Sequence, residues 1–104
     1  MGTVLVYRNT GHEPYCEVAL DNGDTVLVRL DERGATIERQ AKNAGPSERL
    51  FQASPDVVTD LCLLLIGNAA APKSTPLDLL VSIVSQMRSA DDVRVAFKQA
   101  SAAI

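Results

Sequence analysis

The residues best suited to catalysis are Cys16 and His12, which lie four positions apart. A nucleophilic cysteine needs an exposed, electropositive environment and a base within hydrogen-bond distance. Cys16 instead alternates in phase with Val18 and Leu20, which predicts that its side chain faces a hydrophobic core. A buried cysteine usually behaves as a small, inert hydrophobic residue. We therefore predict that the chain has no catalytic residues and is not an enzyme, with thiol chemistry at Cys16 and His12 as an alternative.

The other chemically capable residues give weak signals. Glu13 and Glu17 are spaced to form an acid pair, yet no nucleophile, metal-ligand cluster or phosphate-binding loop accompanies them. Most remaining acids lie at predicted helix starts or in hairpin loops, where carboxylates bind free backbone amides or face water. The chain contains neither a CxxC nor an HExxH motif, and neither a P-loop nor a dinucleotide-binding glycine motif. We predict no metal and no cofactor, and we keep a small ligand bound between sheet and helices as a second alternative function.

Charge and length exclude further classes of function. With 10 basic and 13 acidic residues, the net charge is 10 − 13 = −3, so we predict no nucleic-acid partner. The longest apolar run, residues 61–66, is far shorter than a membrane span, and the N-terminus lacks the basic region of a secretory signal. We therefore expect no membrane partner, a cytoplasmic location and two free thiols. A length of 104 residues fits one domain over residues 1–104.

Two alternating segments on either side of residues 21–24 predict a β-hairpin. A two-residue turn would place Val26 on the face opposite to Val18. A three-residue loop with Gly23 in the left-handed conformation pairs Val18 with Val26 instead. Because a one-residue slip moves every side chain to the other face, the apolar pattern favours the three-residue loop.

The same alternation predicts a four-strand antiparallel meander over residues 3–41, with Leu30 opposite Ala35 across the next turn. One predicted face is apolar and points to the core: Val4, Val6, Cys16, Val18, Leu20, Val26, Val28, Leu30 and Ile37. The other face is mixed: Leu5, Tyr7, Tyr15, Glu17, Ala19, Thr25, Leu27, Arg29, Thr36 and Glu38. This contrast is typical of a sheet covered on one side.

From residue 54 onward the apolar period becomes helical. Capping residues and apolar stripes predict helices near residues 55–66, 76–88 and 90–102. The second half of the first helix is apolar on all sides, which predicts burial on several sides. Within residues 42–53, the first six residues are typical of a loop, and Leu50 and Phe51 fit either a helical turn or an edge strand. Strands followed by helices give an α+β domain, with a helical part over residues 54–104 packed on one sheet face.

Surplus apolar surface is the remaining indication of function. We expect the outer sheet face to present Leu5, Tyr7, Tyr15 and Leu27, and the second helix to present Leu79 and Ile83. Such a surplus on a small domain usually marks a partner or self-association site. The alternative is that the helices bury one another and the outer sheet face stays in contact with water.

These features predict a protein-interaction module, either a homodimer or an accessory or inhibitory subunit, that binds a protein partner or a second copy of itself. A homodimer is the commonest soluble assembly. No motif indicates a family. In size and composition the chain resembles small bacterial, phage or mobile-element proteins, and this resemblance implies no function.

Overall fold

The structure is a computed structural model of the chain, and it describes residues 2–9, 11, 13–40, 46–66 and 75–103. The α+β class is confirmed, with five strands rather than four. The elements follow one another as β1 (Thr3–Arg8), β2 (Tyr15–Ala19), β3 (Thr25–Asp31), β4 (Gly34–Arg39), β5 (Glu48–Ala53), α1 (Pro55–Ile66), α2 (Pro76–Ser85) and α3 (Ala90–Ala102).

The strands form one antiparallel sheet in the order β1-β2-β3-β4-β5. The predicted hairpin register is confirmed, because Val18 lies opposite Val26 and Gly23 has a φ of 93°. The predicted Leu30–Ala35 pair is also present. The alternation of apolar side chains therefore determines the register of the three central strands.

A β-bulge in β1 makes one part of the predicted sheet wrong. Val4 lies opposite Val18 and Val6 lies opposite Glu17, so Leu5 is an extra residue in β1. Beyond the bulge the two faces are exchanged: Val6 shares the outer face with Glu17, and Tyr7 lies opposite Cys16 on the helix side. The sequence predicts the reverse for both residues, because it contains no sign of the bulge.

The fifth strand lies in the segment for which the sequence allows either a helical turn or an edge strand. Ala53 pairs with Ala35 and Phe51 with Ile37, and a second bulge follows toward Arg49. Leu50 and Ala53 are buried in the core. The segment is thus an edge strand, the second of the two alternatives that the sequence allowed.

All three helices pack on the same side of the sheet. Helix α2 contacts β2 and β3, α1 contacts β4 and both other helices, and α3 contacts β5. The predicted bounds of α1 and α3 are confirmed, whereas α2 ends at Ser85. The core combines the sheet residues with the inner stripes of the helices, among them Leu61, Leu80 and Phe97.

The expected burial of the second half of α1 is only partly right. Leu61 and Cys62 are buried, but Leu63 and Leu64 are exposed. A helix that lies on a sheet between two other helices still has one side facing water, and these two leucines lie on that side.

Candidate functional site

The structure disperses the six residues that the sequence grouped as a partner-binding surface. Leu5 is 56% exposed, whereas Leu27 is 5% exposed and Ile83 is 4% exposed. Leu79 is partly buried and packs against the core. The expected outward orientation of Ile83 is therefore wrong, since its side chain belongs to the core of the domain.

Polar side chains cover Leu27 on the outer sheet face. Leu27 lies between Glu17 of β2 and Glu38 of β4, its direct cross-strand neighbours. The Tyr15 hydroxyl donates to Glu17, and Arg29 forms an ion pair with Glu38 at 3.5 Å. Burial and the bond to Glu17 raise the pKa of Tyr15 to about 12. Leu27 is therefore almost inaccessible on the outer sheet face, and this face offers little apolar area for contact with a partner.

The exposed apolar side chains of the sheet concentrate on β1. Val4 and Tyr7 are each 43% exposed, and Leu5 lies between them. Val4 and Tyr7 lie on the helix side, opposite Val18 and Cys16 respectively. We call Val4, Leu5, Val6 and Tyr7 the β1 edge, because β1 is the last strand on its side of the sheet.

Contacts to α2 hold the two ends of β1 in place. At one end the Gly2 amide donates to the Ser85 carbonyl at 2.7 Å. At the other end the Tyr7 hydroxyl donates to Oδ1 of Asp78, and Nδ2 of Asn9 lies 3.1 Å from Oγ1 of Thr75. The strand is thus held at both ends, and Leu5, in its middle, is its most exposed large apolar side chain.

The Tyr7–Asp78 contact continues into the N-terminal cap of α2. The Thr75 hydroxyl accepts from the Asp78 amide, and the Asp78 carboxylate accepts from the Thr75 amide, which forms a capping box. The Tyr7 hydrogen bond lowers the pKa of Asp78. Partial burial and the same contact raise the pKa of Tyr7. Asp78 therefore links the edge strand and the helix cap.

The two thiols lie in the core. Cys16 and Cys62 are both free and almost fully buried. Burial raises the pKa of each to about 11, so neither forms an appreciable thiolate at neutral pH. His12, the proposed base for Cys16, lies outside the described residues. The described surroundings of Cys16 are those of an unreactive core thiol.

Two surface depressions bear on the small-ligand alternative. One, of about 390 Å³, is lined by Glu13, Asp31, Glu32 and Arg33 at the β3–β4 turn. The other, of about 140 Å³, lies between the sheet and the starts of α1 and α2. It is smaller than the roughly 300 Å³ at which ordinary ligand pockets begin. Over the part of the chain that the structure describes, no three histidine, cysteine or acidic residues are grouped to hold a metal ion.

The chain matches no protein-family model, no curated protein and no solved structure. None of the helices in the described ranges has the length and apolar content to cross a membrane.

Two features of the β1 edge were missed from the sequence. The sequence predicts a buried Val4, which lies on the predicted face but is 43% exposed, and it predicts Tyr7 on the outer face, whereas the bulge places it on the helix side. Residues 4–7 are all apolar or aromatic, so the sequence does not specify which of them face the helices, and nothing in it marks the bulge.

Proposed function

We propose that this protein works by binding another protein or a second copy of itself through the β1 edge, and that it has no catalytic activity of its own. The observation that carries the proposal is the exposure of Val4, Leu5 and Tyr7 on one edge strand. An edge strand presents unpaired backbone groups beside its side chains, and these groups are a template for strand addition. Apolar side chains next to that template add affinity and selectivity.

The chemical state of the two thiols supports the noncatalytic part of the proposal. Each thiol is buried and has a raised pKa. Two free cysteines also fit the reducing conditions of the cytoplasm, where we place the protein.

The proposal is tested by replacing one exposed leucine with lysine. Lysine on an edge strand is a natural block to strand addition. Leu5→Lys should abolish self-association measured by light scattering, and also the binding of a purified partner first isolated from the native host. Leu64→Lys is the matched control, because Leu64 is 52% exposed, lies on α1 and receives the same change of charge.

Circular dichroism should show both variants folded, since both substitutions are at exposed positions. Retention of every interaction by Leu5→Lys would overturn the proposal. So would loss of binding in Leu64→Lys alone, which would assign the function to the α1 surface. A wild-type protein that binds neither itself nor any host protein would overturn it as well.

A further inference from the structure

We infer that the occupant of the β1 edge is the β1 edge of a second copy, paired antiparallel about a two-fold axis between Leu5 and Val6. This inference rests on the proposed function and names its partner. The assembly would be a symmetric homodimer with a continuous ten-stranded sheet, twice the five strands of one copy.

The bulge gives the β1 edge a pattern that is the same in both chain directions. Val4 and Tyr7 lie on the helix side, and between them Leu5 and Val6 together oppose Glu17. In an antiparallel pair, residues opposite one another share a face. An axis between Leu5 and Val6 places Val4 opposite Tyr7 of the second copy, and Leu5 opposite its Val6.

Other positions of the axis break this match. An axis through Leu5 would place Val4 of the helix side opposite Val6 of the outer side, and an axis through Val6 would place Leu5 opposite Tyr7. A mismatch of face cannot be accommodated in a regular ladder, because facing side chains must lie on the same side. The face pattern that the bulge creates therefore selects one register for self-pairing, the one with the axis between Leu5 and Val6.

The side chains brought together in that register are compatible. Val4 with Tyr7 is a pair of a β-branched and an aromatic residue, which stabilises antiparallel ladders. Arg8 is the one charged residue of β1, and it would face Thr3 of the second copy, so no like charges meet. Arg8 also approaches the end of the second copy where the hairpin at residues 21–24 carries two acids.

The contact is short, which fixes its expected strength. Six residues of strand span about 20 Å. Such a contact is smaller than a standard interface. The weakest complexes with a standard interface have dissociation constants of about 1 µM. The dimer should therefore form reversibly, at concentrations well above micromolar.

The register is tested by disulfide trapping between two chains. One chain carries Val4→Cys and the other Tyr7→Cys, both in a Cys16→Ala, Cys62→Ala background. Facing residues of an antiparallel pair lie within the Cα separation of a disulfide. Mixed at high concentration under mild oxidation, they should give the mixed disulfide in several-fold excess over each homodisulfide. Light scattering on the wild-type chain should show a mass that rises toward the dimer with concentration.

Three results would overturn the inference. A predominance of either homodisulfide would show a different register. Equal trapping of a third chain with Leu64→Cys would show random collision. In the third result, the wild-type chain stays monomeric at about 1 mM, while Leu5→Lys abolishes binding of a purified host protein. This result would exclude self-pairing but leave the proposed function intact. If the cysteine substitutions unfold the chain, the concentration series decides, with Leu5→Lys as the dissociated reference.

Discussion

The two edges of the sheet are built in opposite ways. At the β5 edge the ring of Phe51 lies 5.4 Å from that of Phe97 on α3, so a helix supports the strand from the core side. Glu48 accepts from Arg39 of β4 and from Arg94 of α3, which closes the end of the strand with charge. Charged side chains and a covering helix are both recognised protections against edge-to-edge association.

Within the described residues, neither a covering helix nor an ion pair protects the middle of the β1 edge. Three of the six side chains of strand β1 are large, apolar and at least 43% exposed, and Arg8 at the end of the strand is its one charged residue. Hydrogen bonds to α2 hold the ends of the strand but leave the centre open. A fold that protects one edge with a helix and an ion network can do the same for the other. This difference between the edges is what supports the proposal that the β1 edge binds a partner.

The largest effect should come from removing the aromatic support of the β5 edge. Phe97 is fully buried, and Phe97→Ala should lower the free energy of unfolding by about 3–5 kcal/mol, because it leaves a cavity beneath Phe51. Urea denaturation measures the change. Val95→Ala, on an exposed position of the same helix, is the control and should change stability by less than about 0.5 kcal/mol.

If Phe97→Ala lowers the free energy of unfolding by no more than a typical surface substitution does, α3 does not support the β5 edge. If the variant is too unstable to measure, Phe97→Leu retains most of the apolar volume and should show a smaller loss in the same direction.

Alkaline titration tests whether the β1 edge seals the core beneath it. Cys16 lies opposite Tyr7, and its pKa is raised from 9.0 to about 11. Between these two values the unfolded chain has lost the thiol proton and the folded chain has kept it. The free energy of unfolding should therefore be unaffected by this thiol below pH 9 and fall as pH rises above 9, by up to about 1.4 kcal/mol per pH unit.

The second thiol supplies the comparison for that titration. Cys62 lies on α1, away from β1, and its pKa is also raised to about 11. Cys16→Ala and Cys62→Ala should each remove about the same part of the slope between pH 9 and 10. If Cys16→Ala leaves the slope unchanged, water reaches Cys16 through the β1 edge, and the edge is looser than described.

The contrast between the edges also separates what the sequence can reveal from what it cannot. The Val18–Val26 register follows from alternation, because one wrong step would turn every apolar side chain of the hairpin to water. Helix starts follow from local capping chemistry, as the Thr75–Asp78 box illustrates. Both depend on interactions within a few residues or on a long regular pattern.

The features that define the candidate site depend on contacts distant in sequence. Tyr7 reaches Asp78 across 71 positions, and this contact requires the face exchange at Leu5. The uninterrupted apolar run over residues 4–7 gives no sign of such an exchange. Ile83 fits an outward position in the helical pattern, yet α2 is covered by both the sheet and α1, so its buried stripe is wider than the pattern predicts.

The smallest expected changes in stability come from two side-chain contacts at the edges, the ion pairs of Glu48 at the β5 edge and the Tyr7–Asp78 hydrogen bond at the β1 edge. Glu48→Gln weakens two exposed ion pairs at the β5 edge, so it should cost less than about 1 kcal/mol, and the cost should shrink further in about 1 M salt. Tyr7→Phe removes one hydrogen bond at the β1 edge and should cost about 1 kcal/mol. Because Tyr7 is uncharged, that cost should depend less on salt. Urea denaturation at two salt concentrations measures both variants. If salt reduces both costs by the same amount, both edges are held by charge, and the proposed distinction between them fails.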